Sequence, residues 1–305
     1  MALWLLTALM TLTDWIWASR IGLRVANSSI VQTMIIIPGT VAISGLLWAV
    51  SRIHYKEVSR NLFFRNVAHL FMWITILVTF THVCIVFQYL CVTTDFPLVN
   101  NLLISADSAL GFHWPDFYRW VKIHQWLHSA LDLAYASGGY QLIAIPPILA
   151  VTLNSQDYAE FVAQFMVSTI LVTLISVPFP AESAFIHFGI HDPDTVSTVS
   201  DFALLRSRNI RELAFTSAQG LVSMPSLHAI LALCFAYSLR HVRFVFPISI
   251  TLNFLMVIST PTRGGHYLSD VLSGLVIGVL VIYLVRKVIL GSSSHVKEVP
   301  SALST

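Results

Sequence analysis

The stretch "GLVIGVLVIYLV", residues 274–285, decides the fold class, because it is apolar on every side. A soluble helix shows one apolar stripe and a polar opposite face, whereas a helix that is apolar all round belongs in a membrane or a deep core. Outer-membrane strands alternate with period two, and this run does not. Working outward, comparable windows lie near 2–18, 30–51, 65–92, 126–152, 158–178, 226–240, 243–261 and 267–288, each compared with the roughly 20 apolar residues that span a bilayer. The window at 226–240 is short for a span, so its N-terminal end is expected to stop below the membrane surface in a polar cavity. The first window contains Asp14 and either spans or lies in the interface, anchored by Trp4, Trp15 and Trp17. With no Lys or Arg before Arg20, it lacks the charged n-region of a signal peptide.

Composition agrees. The 305 residues are 56% hydrophobic and 10% charged, against about 25% charged in soluble chains, and the mean hydropathy is +0.76. Seventeen Lys+Arg nearly balance 15 Asp+Glu, which argues against nucleic-acid binding by bulk charge. The cysteines, Cys84, Cys91 and Cys234, sit in apolar runs and imply neither a disulfide framework nor a Cys-rich metal site. The expected architecture is therefore all-α: a polytopic helical bundle in the membrane. Arg52, Lys56, Arg60, Arg65, Arg240, Arg243, Arg286 and Lys287 collect in three segments assigned to the cytoplasm by the positive-inside rule. The connections 93–125 and 179–225 then face outward, and Ser197 is expected to be labelled from outside. If the first window spans, Arg20 and Arg24 break this pattern.

Ionisable residues at membrane depth are functional candidates, and two segments carry the sharpest set. In "GLVSMPSLHAILAL", residues 220–233, Pro225 breaks a loop, Ser226 caps the next helix and His228 lies in its first turn. A helix start offers free N–H groups and a positive dipole end to an anion such as phosphate. In "STPTRGGHYLSDVLSGLVIG", residues 259–278, a Gly264-Gly265 turn leads to His266, with Asp270 one helical turn on. A carboxylate there can accept the His266 Nδ1–H bond and leave Nε2 as a nucleophile. The Gly265 N–H is a candidate contact for phosphate oxygens.

These residues resemble the type-2 phosphatidic acid phosphatase superfamily, whose fold is that of the vanadium haloperoxidases. "PSLH" matches its second motif and "GGHYLSD" the end of its third, and the resemblance covers roughly residues 65–288. Leu227, where lipid phosphatases usually carry Gly, is similar to the branch of inositol phosphorylceramide synthases and their bacterial relatives. "LGFHWPDFYRWV" and "LAYASGGYQL" are also similar to bacterial members.

The resemblance implies a six-helix catalytic core at 65–290, after N-terminal helices at 1–64 and before a cytoplasmic tail at 291–305. It implies an enzyme, needing no metal or cofactor, that hydrolyses or transfers the head group of a lipid phosphoester at the outer membrane face. His266 would be the nucleophile, Asp270 its partner and His228 the general acid. Phosphoryl transfer also calls for cationic clamps. Here the sequence departs from the pattern: Thr260 stands where the third motif has Arg, and the first motif's Lys and Arg-Pro have no clear match. Arg206 and Arg263 are the favoured clamps over Arg208 and Arg211, with Ser226 and Gly265 as further phosphate contacts. Two readings compete. One is a carrier or scaffold that keeps the fold without the reaction; the other is a metal enzyme built on His124, His128 and Asp132, which share one helix stripe. The loop "HFGIHD", with His187, His191 and Asp192, is expected near the site mouth.

Overall fold

The computed structural model describes residues 2–53, 58–151, 155–192 and 201–297. Ser197 lies outside these residues. The chain folds as an all-α polytopic bundle, and all eight apolar windows coincide with helices: α1 Ala2–Ile21, α2 Asn27–Ser51, α3 Val58–Val92, α6 Gln125–Val151, α7 Ser155–Ser176, α10 Leu227–Ser238, α11 Val245–Ser259 and α12 Leu268–Lys297. Among the described residues, six helical segments are long and apolar enough to cross a membrane, namely Ala2–Ile21, Asn27–Ser51, Arg60–Val92, Gln156–Ser176, Val245–Gly264 and Leu268–Ile289. Helix α10 is shorter, as the sequence leads one to expect.

The first helix stands beside α3. Leu3, Leu6 and Met10 join a cluster with Ile76 and Phe80, while Trp17, Ala18 and Leu23 pack with Val86, Tyr89 and Leu90. Rising numbers match rising numbers, so α1 and α3 run in the same direction. Arg20 and Arg24 therefore share a face with the end of α3, the arrangement that departs from the charge rule. On that face β1 Arg24–Val25 pairs in parallel with β2 Glu212–Leu213.

The connection 93–125 is not a plain loop. It folds into α4 Asn100–Ala109 and α5 Trp114–Ile123, whereas α8 Ala184–His187 and α9 Phe202–Arg206 are single turns in the second long connection. Pro115 lies in the first turn of α5, where its missing N–H costs nothing. Trp114, Tyr118, Phe185 and Tyr267 form an aromatic cluster that binds α5 and α8 to the start of α12. The main core joins α3, α6, α7, α10 and α11 through residues such as Phe80, Ile145, Phe161, Phe235 and Met256.

At the opposite end of α7, Arg240 donates to Asp157 at 2.7 Å and Glu160 at 2.9 Å, and His241 Nδ1 stands 2.7 Å from Asp157. Both acids are buried. This ionic knot ties the α10–α11 turn to the start of α7.

Candidate active site

Helix α10 begins where the sequence places it: the Ser226 side chain accepts a hydrogen bond from the Ala229 N–H at 3.4 Å. Helix α12 begins differently. The Leu268 and Ser269 N–H groups donate to the two carboxyl oxygens of Asp107, on α4, at 2.9 and 2.7 Å. The Tyr267 N–H donates to Asp270 Oδ2 at 3.0 Å. Two carboxylates thus satisfy the orphan donors of this helix start. Glycines then let the two helix starts meet. A Cβ on Gly274 would stand 2.6 Å from the Ser226 carbonyl oxygen, and one on Gly278 would stand 3.3 Å from Ile230 Cα.

This close packing brings the His228 and His266 rings edge to face, with centroids 6.3 Å apart and planes 63° to each other. His266 Nδ1 lies 3.1 Å from the Ser223 carbonyl and 3.2 Å from Asp270 Oδ1. Both neighbours are acceptors, so Nδ1 carries the proton and Nε2 keeps its lone pair. The hydrogen bond with good geometry goes to Ser223, and Oδ1 of Asp270 has no hydrogen-bond partner among the described residues. The expected His–Asp pair is present as an ion-pair contact, and the Ser223 carbonyl shares the imidazole with it. His228 stacks on Tyr135 at 4.3 Å, and the Tyr135 hydroxyl lies 3.4 Å from its Nδ1. Trp114 Nε1–H donates to the carbonyls of Pro261 and His266 and pins the turn between them. Burial and the nearby carboxylates Asp270, Glu182 and Asp107 push the Tyr267 phenol up, so this ring stays neutral.

Both histidines open on a cavity of about 450 Å³, lined also by Gln88, Tyr135, Ser183, Gly264 and the segment 216–223. Its size is typical of small-ligand sites. Among the described residues no Lys or Arg lines it.

The sequence candidates divide accordingly. His228 and His266 line the cavity, and Asp270 stands directly behind His266. Ser226 is fully buried and lies outside the cavity lining, with its hydroxyl serving as the helix cap. Gly264, not Gly265, lines the cavity. Gly265 has φ +68°, and a Cβ there would come within 2.0 Å of Ser183 Oγ, so backbone geometry and packing require this glycine.

Arg206 is not at the cavity either. Its guanidinium donates to the Thr94 and Phe96 carbonyls at 3.1 and 2.7 Å and secures the end of α3. Arg263 is buried in the turn before His266. It contacts His128 Nε2 at 3.0 Å and pairs with Asp132. The stripe read as a metal alternative therefore has a guanidinium on two of its members, and the third, His124, directs Nδ1 at the Trp120 carbonyl at 2.8 Å. A bound cation opposes a second, metallic one at the same atoms. Asp192 accepts from Tyr118 at 2.7 Å and Lys122 at 3.0 Å, fastening its loop to α5.

Sequence reasoning missed Tyr135, Ser223 and Asp107 as site residues. The only signal for them was that Tyr135 falls in "LAYASGGYQL" and Ser223 just before Pro225.

A family model described as the PAP2 superfamily matches residues 101–284, more than half of the chain. No curated protein and no solved structure matches.

Proposed function

The chain belongs to the PAP2 superfamily, and from that premise we propose that it is a membrane enzyme that cleaves a lipid phosphoester through a phosphohistidine. The observation that carries this reading is the pair of histidines across one cavity, with His266 Nδ1 occupied and its Nε2 left as the nucleophile.

His266 Nε2 attacks phosphorus, the P–N bond forms and the bond to the lipid or head-group oxygen breaks. Protonated His228 gives its Nε2 proton to that oxygen and returns to the neutral ring, while its Nδ1–H is directed at the Tyr135 hydroxyl 3.4 Å away, which holds the ring in place and keeps its remaining proton on Nδ1. Asp270 and the Ser223 carbonyl stabilise the imidazolium character that develops on His266. Water or an alcohol then attacks phosphorus, His228 takes its proton, and the P–N bond breaks. Neutral donors around the cavity hold the phosphate oxygens: the Gly264 backbone, Ser183, Gln88 and the N–H groups of 220–223. Arg263 acts from behind, by fixing the turn that carries His266.

Leu227 in "PSLH" supports placing the chain near the inositol phosphorylceramide synthase branch, and hence head-group transfer to an alcohol over release to water. The membrane face that carries the site is taken to be the outer one, on the cationic loops at the other end of the bundle.

One assay tests the reading: the purified chain in detergent with a panel of phospholipids labelled in the head group, with and without a lipid alcohol acceptor. Native protein should turn over at least one of them and be inhibited by vanadate, a mimic of pentacoordinate phosphorus. His266→Ala and His228→Ala should each lose turnover, and full activity in His266→Ala refutes the mechanism. That no Lys or Arg among the described residues lines the cavity, together with Thr260 at the Arg position, favours one second reading, an inactive carrier with this fold. Saturable lipid binding without turnover of any panel member would select it.

A further inference from the structure

Beside the catalytic cavity lies a second, more apolar groove of about 650 Å³, walled by α1, α2 and α3. Trp15, Ile30, Met34, Val83 and Val86 form its apolar sides. These are residues of membrane-spanning helices, and Trp15 and Met34 are about 70% exposed, so the groove opens to lipid. It shares walls with the site. Phe215 lines the groove while Thr216, Ser217 and Ala218 line the catalytic cavity, and on α3 Val86 faces one and Gln88 the other.

Its polar lining includes Thr11, Ser19 and Arg24, and two further groups, His82 and Asp14, give this groove a chemistry. Thr33 donates its one hydroxyl proton to the Ser29 carbonyl at 2.8 Å. In its 2.9 Å contact with His82 Nδ1 it must therefore accept, which places the imidazole proton on Nδ1. The ring face is stacked on Phe215 at 4.6 Å. The atom left to His82 is Nε2, an acceptor in the uncharged ring, and it has no partner among the described residues. Asp14, 5% exposed and also lining the groove, has no hydrogen-bond partner among the described residues on either carboxyl oxygen. Unpaired polar groups at membrane depth are costly. Both lack a donor. An ordinary diacyl chain offers ester oxygens and methylenes, which cannot donate, whereas a lipid hydroxyl can.

We propose that the groove between α1, α2 and α3 is a binding site for a neutral lipid carrying a free hydroxyl, with the O–H donated to His82 Nε2 and the hydrocarbon laid between Trp15, Met34, Val83 and Val86. Binding here goes beyond the catalytic reading and does not rest on it, since it requires no turnover. The site stands one wall from His266, where a lipid alcohol is either the fragment left after dephosphorylation or the group that receives a phosphoryl head.

The test is photolabelling of the full chain in nanodiscs of phosphatidylcholine with a diazirine-bearing diacylglycerol. Label should concentrate on peptides containing Trp15 or Met34. Unlabelled diacylglycerol should compete about tenfold better than the same lipid with its hydroxyl acetylated, a difference of about 1.4 kcal/mol. His82→Phe keeps the ring stack on Phe215 and should reduce that preference to near unity while labelling persists. Ala18→Trp, which fills the groove, should abolish labelling, with a thermal melt of each variant confirming that it is folded. Equal competition by the alcohol and its acetate in the native chain, label spread evenly over lipid-facing helices, or a preference that survives His82→Phe would each overturn the proposal. Because no step reads catalysis, a chain inactive on every phosphoester can still pass, and an active chain can still fail.

Discussion

Gly274→Ala is the most informative single substitution, because one methyl group tests whether helix contact sets the distance between the two histidines. The added Cβ would stand 2.6 Å from the Ser226 carbonyl oxygen and 3.2 Å from Ala229 Cβ. The first neighbour is backbone at the start of α10, and its oxygen accepts from Ile230 N–H at 3.3 Å, so it cannot swing aside. Relief to ordinary contact requires α10 and α12 to separate by about 0.5–1 Å at this point, within the range in which overpacked cores yield. His228 lies two residues beyond Ser226, so that movement is carried almost undiminished to the gap between the rings. Overpacking of this kind costs about 1–3 kcal/mol, and a misplacement near 1 Å costs about 10²-fold in rate.

The expected result is a modestly lowered melting temperature with kcat down roughly 10- to 100-fold and KM little changed. Two alanines serve as controls. Gly278→Ala meets Leu233 Cδ1 at 2.9 Å, a side-chain end that can turn away, one helical turn further from the histidines. It should cost stability with a smaller loss of rate. Gly139→Ala, on α6, meets nothing within 4 Å and should stabilise by about 0.5–1 kcal/mol. Full activity in Gly274→Ala with an unchanged melt would refute the idea that this glycine contact positions His228.

Other expectations follow from single contacts. Tyr135→Phe removes the hydroxyl 3.4 Å from His228 Nδ1 and should slow turnover about tenfold and alter the pH–rate profile, with the melt unchanged; an unchanged profile would deny Tyr135 its role. Arg206→Ala removes the hydrogen bonds to the Thr94 and Phe96 carbonyls, which water can partly replace, and should cost about 0.5–1.5 kcal/mol of stability, while turnover per folded molecule stays near native; a specific loss of rate would restore Arg206 as a phosphate clamp. Arg240→Met leaves Asp157 and Glu160 buried without their shared cation, a loss of about 3–5 kcal/mol, which thermal unfolding would register and an unaltered melt would contradict. Chelators should leave turnover unchanged, since Arg263 holds His128 and Asp132; activity restored only by added zinc would reverse that reading.

The membrane bundle and the histidine–aspartate pair were legible in the sequence because each depends on neighbours along the chain. A run of about 20 apolar residues forms a spanning helix whatever surrounds it, and all eight windows became helices. His266 and Asp270 meet because residues four apart share a helix face, and Ser226 caps because it precedes the first turn. The hidden helices α4 and α5 are short and mixed in polarity, so no apolar window marked them.

The fate of the charged and polar side chains was decided only in three dimensions. A guanidinium has five donors and goes to whichever acceptors lie within reach, and those acceptors come from distant segments: Thr94 and Phe96 for Arg206, His128 and Asp132 for Arg263. The cap of α12 comes from Asp107 on another helix, and the second hold on His266 comes from a backbone carbonyl, which every residue has and none advertises. Sequence alone determined that this chain crosses a membrane and carries a histidine–aspartate pair beside a capped helix. Only the tertiary structure decided which groups face the cavity between the two histidines, because hydrogen-bond partners are selected by proximity in space.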